Sequence, residues 1–129
     1  MKSFIHKSFF TFLLIGISCI AKANVVDDIA SALKQGDSGT LSSYFNDSVE
    51  LVVVSKEGIY SKNQAEIIVS TFFNENRPSK FVALHQGGKA EATYVIGKLE
   101  TSNGNYRVYY LVKGSGGSQK IYQLRFEKE

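Results

Sequence analysis

The sequence of 129 residues has no tryptophan, and only one cysteine, one proline, one methionine and two histidines. These scarcities narrow the chemistry. Cys19 cannot form an internal disulfide, and so few Cys and His side chains cannot assemble the usual zinc sites. No metal and no cofactor is expected. There is no G-x-S-x-G, no P-loop and no dinucleotide fingerprint; the run Gly114 to Gly117 lies between strand-like segments and opens no helix. A basic field is missing too, despite 15 Lys and Arg against 12 Asp and Glu. Lys2, Lys7 and Lys22 fall in the first 23 residues, where no acid occurs, so residues 24–129 carry twelve of each sign. A neutral domain does not attract nucleic acid or an anionic membrane surface, and neither partner is expected.

What is present begins with an export signal. Lys2 and Lys7 precede a short apolar stretch, Phe9 to Ile20, and Ala21-Lys22-Ala23 follows with small-x-small spacing. About twelve apolar residues are too few to span a bilayer, which takes about twenty. Residues 1–23 therefore read as a signal peptide cleaved near Ala23. Residues 24–129 remain as one domain with no transmembrane segment, in the periplasm or outside the cell. Ser18-Cys19 leaves a second reading open, a lipoprotein anchored through Cys19, although Gly16 stands where such signals usually carry Leu.

Val26, Ile29, Ala30 and Leu33 recur at helical spacing, with acids in the first turn and Lys34 in the last. This predicts a helix over Val25–Gln35, closed by Gly36 in the left-handed conformation. Asp37 or Ser38 caps a second short helix carrying Leu41, Tyr44 and Phe45, which ends at Asn46-Asp47-Ser48. Val49–Ser55 reads as a strand, Lys56-Glu57-Gly58 as a turn and Ile59–Ser61 as a short return strand. A third helix starts at a capping box, Asn63 to Glu66, presents Ala65, Ile68, Val69, Phe72 and Phe73, and stops ahead of Arg77-Pro78.

The rest alternates in the manner of strands. Gly87-Gly88, Asn103-Gly104 and Gly114 to Gly117 divide it into Lys80–Gln86, Glu91–Glu100, Asn105–Lys113 and Gln119–Phe126. Alternation places Tyr106, Val108, Tyr110 and Val112 opposite Arg107, Tyr109, Leu111 and Lys113. In the last strand it places Tyr122, Leu124 and Phe126 opposite Ile121, Gln123 and Arg125. The class is α+β, in the order α-α-β-β-α-β-β-β-β. Three helices pack on a curved, mostly antiparallel sheet of about six strands.

Gly36-Asp37, Leu41, Phe45, Val49 and Leu51 stand in the spacing G-D-x3-L-x3-F-x3-V-x-L. With the long carboxy-terminal meander, this resembles the nuclear transport factor 2-like (cystatin-like) superfamily over essentially the whole of residues 24–129. The segments Leu84-His85-Gln86-Gly87, Ile96-Gly97-Lys98-Leu99 and Asn103 to Tyr109 are similar to an uncharacterised family of small exported bacterial proteins within it, a domain of unknown function. The resemblance implies a sheet wrapping the third helix, with a conical pocket between the concave face and the helices. Some relatives use that pocket for isomerase or dehydratase chemistry; others bind ligands, or dimerise through the convex face.

Two sets of residues could carry function. His85 is the only histidine beyond residue 23 and the candidate catalytic base, if Glu91 or Glu100 lies within reach. Arg107, Tyr109, Gln123 and Arg125 could converge on one patch able to hold a carboxylate or phosphate, with Tyr94 among the tyrosines of a ligand or association surface. With no catalytic motif, the expectation is a non-catalytic exported domain that binds a small molecule, a peptide or a protein partner, including a second copy through the sheet. The alternative is an isomerase- or dehydratase-like enzyme using His85.

Overall fold

The computed structural model describes residues 24–129; the expected signal peptide and Cys19 lie outside the described residues. Helix α1 spans Val25–Gln35 and α2 spans Ser38–Ser42. Strands β1 (Phe45–Val53) and β2 (Lys56–Ser61) precede helix α3 (Lys62–Glu75). Strands β3 (Pro78–Lys89), β4 (Ala92–Thr101), β5 (Gly104–Lys113) and β6 (Lys120–Lys128) follow. The order and the count of three helices and six strands match the sequence reading.

The strands form one sheet in the order β2-β1-β6-β5-β4-β3. Neighbours are antiparallel except β1 and β6, which run parallel and bring the first strand beside the last. Helices α1 and α3 cover one face, and α2 packs against both helices. There α1 contributes Val26, Ile29, Ala32 and Leu33, and α3 contributes Ala65, Val69, Phe72 and Phe73. They meet Val49, Leu51, Val95, Leu99, Val108, Leu124 and Phe126 in one buried cluster. The Phe72 ring lies 4.6 Å from Phe126 and meets Tyr106 edge-on at 4.9 Å. The volume beneath the sheet is thus packed with side chains, each fully buried Leu, Ile or Phe contributing about 1.5–3 kcal/mol.

The caps show how local chemistry sets the ends. Asn24 Oδ1 accepts from the Val26 amide at 2.9 Å, and Gly36 closes α1 at φ 66°. A Cβ on Gly36 would also lie 2.8 Å from Pro78 Cδ, so glycine is required twice over. Asp37 caps α2, accepting from the Thr40 amide at 3.0 Å. Helix α3 is capped by Ser61, whose Oγ accepts from the Gln64 amide at 3.3 Å. The expected capping residue, Asn63, falls inside the first turn instead.

Several boundaries differ for tertiary reasons. Helix α2 ends at Ser42, because Phe45 is already a strand residue opposite Ile121 and is 1% exposed. The β1–β2 turn is Val54-Ser55, with Val53 opposite Lys56, so Gly58 lies within β2 and the positive φ belongs to Val54 at 58°. Gly87 and Gly88 remain in the β3–β4 ladder opposite Tyr94 and Thr93, and the turn comes later at Ala90-Glu91. On α1 the fourth buried residue is Ala32, with Ala30 only half-buried. A register shift in β6 carries Ile121 onto the buried face beside Leu124 and Phe126, and Tyr122 is half-buried outside it. Strict alternation cannot foresee such a bulge, which inserts one residue and reverses the faces on one side of it.

Candidate outer-face site and the family

The face of the sheet away from the helices is where four of the sequence candidates meet. On β5 and β6, Tyr109 stands opposite Arg125, Leu111 opposite Gln123 and Arg107 opposite Glu127. Arg107, Tyr109, Gln123 and Arg125 line one shallow depression of about 370 Å³ together with Ile96 and Glu127. Tyr94, one strand over, stacks on Tyr109 with ring centroids 6.2 Å apart and planes 23° from parallel. Its ring occupies space that a side chain on Gly87 would fill, since a Cβ there would lie 2.6 Å from the Tyr94 hydroxyl.

The polar groups are already partly engaged. Gln123 Nε2 donates to Glu50 Oε1 at 2.6 Å, and the Arg125 guanidinium pairs with Glu127 at 3.4 Å. Lys113 Nζ lies 4.9 Å from the centre of the Tyr122 ring. Arg107 makes no side-chain hydrogen bond among the described residues, and its other cross-strand neighbour is Lys98, a like charge. The depression therefore has one committed guanidinium and one uncommitted one.

His85 lies elsewhere on the same face, exposed on the edge strand β3 opposite Ile96. Glu100 stands opposite Lys80, four residues along β4 from Ile96, or roughly 13 Å at strand rise. Glu91 lies in the β3–β4 turn, five residues from Ile96 in the other direction, roughly 16 Å by the same measure. Neither carboxylate is placed to orient the imidazole, and His85 makes no side-chain hydrogen bond among the described residues. No three His, Cys, Asp or Glu side chains among the described residues cluster as metal ligands. No helix among them is long and apolar enough to cross a membrane.

Sequence reasoning passed over the acids of this face, Glu50 and Glu57: it placed Glu57 in the turn and assigned no faces to β1, whereas Glu57 is a β2 residue opposite Val52. It also passed over a groove of about 560 Å³ between α3, the β1–β2 turn and the β4–β5 turn. One signal did point there: Ile67 lies off the apolar stripe of α3 and is 65% exposed.

Among solved structures, the chain is similar to a DUF4783 family protein from Bacteroides uniformis, with 34% identity, a TM-score of 0.77 and coverage of 82% of this chain and 98% of that one. It also resembles a cystatin-like domain of unknown function from Nostoc punctiforme, at 10% identity and a TM-score of 0.62, over 80% and 72% of the two chains. An Rd1NTF2 protein matches at 11% identity and a TM-score of 0.63, over 79% and 92%. The last two likenesses concern the fold alone, which is nuclear transport factor 2-like, or cystatin-like. No curated protein matches the sequence. The model of the family described as domain of unknown function DUF4783 matches residues 26–127, nearly the whole described domain, and the chain belongs to that family.

Proposed function

We propose that the protein is an exported, non-catalytic binding domain that associates with a second copy of itself through the outer face of its sheet. The observation that carries this reading is the charge polarity of that face. Glu50 and Glu57 lie on the β1–β2 wing, whereas Lys98, Arg107 and Lys113 lie on the β4–β5 wing. Arg125 and Glu127 offset each other, and Glu100 stands opposite Lys80. On either side of β6, half-buried Val52 on β1 and Ile96, Tyr109 and Leu111 on β4 and β5 form an apolar middle, with Ile59 72% exposed on β2. A two-fold axis through this middle would lay the acidic wing of one copy on the basic wing of the other, as a self-complementary interface requires. Export is supported by the start of the fold: Asn24, the first residue after the predicted cleavage point, caps α1, so a chain beginning there keeps every described contact. The isomerase or dehydratase alternative draws no support from the exposed, unpartnered position of His85.

Light scattering across protein and salt concentrations tests the association. A dimer that weakens as ionic strength rises is expected. Arg107→Glu should give a monomer, and adding Glu57→Lys should restore the dimer by exchanging the charges. A monomer at every concentration and salt would sink the proposal. Mass spectrometry of the mature protein tests export: a chain starting at Asn24 is expected, and a lipidated Cys19 would replace that reading with the anchored one.

A further inference from the structure

The groove beside α3 has the composition of a binding site and lies on a different surface from the outer face. Its apolar walls come from Val54, Ile67 and Phe72, and Lys56, Thr71, Glu75, Asn76, Asn103 and Tyr106 supply polar groups around them. A cleft of this size with such a lining is of the kind that holds small ligands. Val54 is the first unusual feature. A β-branched residue at φ 58° is a genuine backbone outlier, and this one is also 50% exposed. Its amide donates to the Phe126 carbonyl at 2.9 Å, which holds the strained turn against the sheet. Glycine would serve the turn better and polar residues would serve the surface better. Half of that apolar side chain faces solvent, and backbone strain of this kind points to a contact partner.

The polar groups define that partner. Asn76 lines the groove and is 6% exposed. Its Oδ1 accepts from the Tyr106 hydroxyl at 2.8 Å, and its Nδ2 donates to the Phe72 carbonyl at 3.0 Å. An amide nitrogen carries two hydrogens, so one donor is left over, while the Tyr106 oxygen keeps acceptor capacity. Lys56 and Glu75 also line the groove. Neither forms an ion pair or a side-chain hydrogen bond among the described residues. A cation, an anion, a spare amide donor and apolar walls match a molecule with a carboxylate, an ammonium, an amide carbonyl and apolar side chains.

We propose that this groove binds short apolar peptides with free ends, the carboxylate drawn to Lys56 and the ammonium to Glu75. Isothermal titration of the purified protein with trileucine tests it, alongside the N-acetylated and the C-amidated forms. Trileucine should bind, and blocking either end should weaken binding about tenfold or more, the cost of losing one charge-assisted contact. Lys56→Ala should reduce the preference for the free carboxylate, and Glu75→Gln that for the free amine. Val54→Gly should weaken binding while raising the melting temperature, which separates loss of contact from loss of fold. No binding of trileucine, or equal binding of the free and blocked peptides, would overturn the proposal. So would binding indifferent to both charge substitutions.

Discussion

The Tyr110 hydroxyl donates to the Val26 carbonyl at 3.1 Å, tying the middle of β5 to the first turn of α1 across 84 positions of sequence. Tyr110 is fully buried, and burial, with the Asp27 carboxylate adding to it, pushes its phenol well above the ordinary range. The sign follows from proton counting. Above about pH 10 the unfolded chain releases this proton and the folded chain keeps it, so stability falls as pH rises and is unaffected below. Tyr110→Phe should cost about 1 kcal/mol at neutral pH, the worth of one hydrogen bond. It should also flatten the alkaline loss of stability. Urea melts at pH 8 and pH 11 compare the two proteins; an equal alkaline loss in both would show that another group is responsible.

Asp37 links the ends of α1 and α2. Its carboxylate accepts from the Thr40 hydroxyl at 2.7 Å and from the Thr40 amide at 3.0 Å, and these bonds, the hydroxyl first, hold its pKa below the usual value. A lowered carboxylate contributes stability that is present above its unfolded pKa and lost as pH falls through its folded one. Asp37→Ala should cost about 1 kcal/mol near neutrality, as lost helix caps do. Asp37→Asn should cost less and remove this group's share of the acid dependence. Thermal melts between pH 3 and pH 7 provide the comparison.

Gly97 is buried where β4 passes beneath Phe81. A Cβ there would collide with the Phe81 ring and lie 2.7 Å from the Val82 carbonyl oxygen. The ring can swing aside; the backbone of β3 cannot do so without loosening its ladder. Gly97→Ala should therefore destabilise the domain by about 1–3 kcal/mol, the ordinary cost of overpacking. A lower urea midpoint with an unchanged slope is the expected readout.

Tyr106→Phe removes the donor to Asn76 Oδ1, a buried amide oxygen. Leaving such an acceptor unpaired costs about 1–3 kcal/mol. Lys128 Nζ, 4.8 Å from the centre of the Tyr106 ring, retains its cation–π contact in the variant. A loss within that range, measured by denaturant, would isolate the hydrogen bond; a neutral outcome would mean that water reaches Asn76.

The elements and the class were legible because local chemistry specified them. Helix α1 has the bounds its periodicity, acids and Gly36 predict. The inner face of β5 is the alternating set Tyr106, Val108, Tyr110 and Val112. That Arg107 shares a strand face with Tyr109, and Gln123 with Arg125, was legible for the same reason, since the period of a strand is two; that the two faces coincide depended on register.

Register, bulges and the meeting of distant segments were not written locally. The parallel pairing of β1 with β6 draws Phe45 out of the helix its spacing suggests. The bulge at Tyr122 and the turn at Val54 depend on cross-strand partners that share no sequence neighbourhood with them. The groove exists because α3, the β1–β2 turn and the β4–β5 turn meet at one end of the sheet. By itself, the sequence determined the order of the elements and the faces of the strands without bulges, because propensity and periodicity act within a few residues. Tertiary structure alone decided which charges share the outer face and that His85 stands apart from Glu91 and Glu100, because those relations depend on strand register.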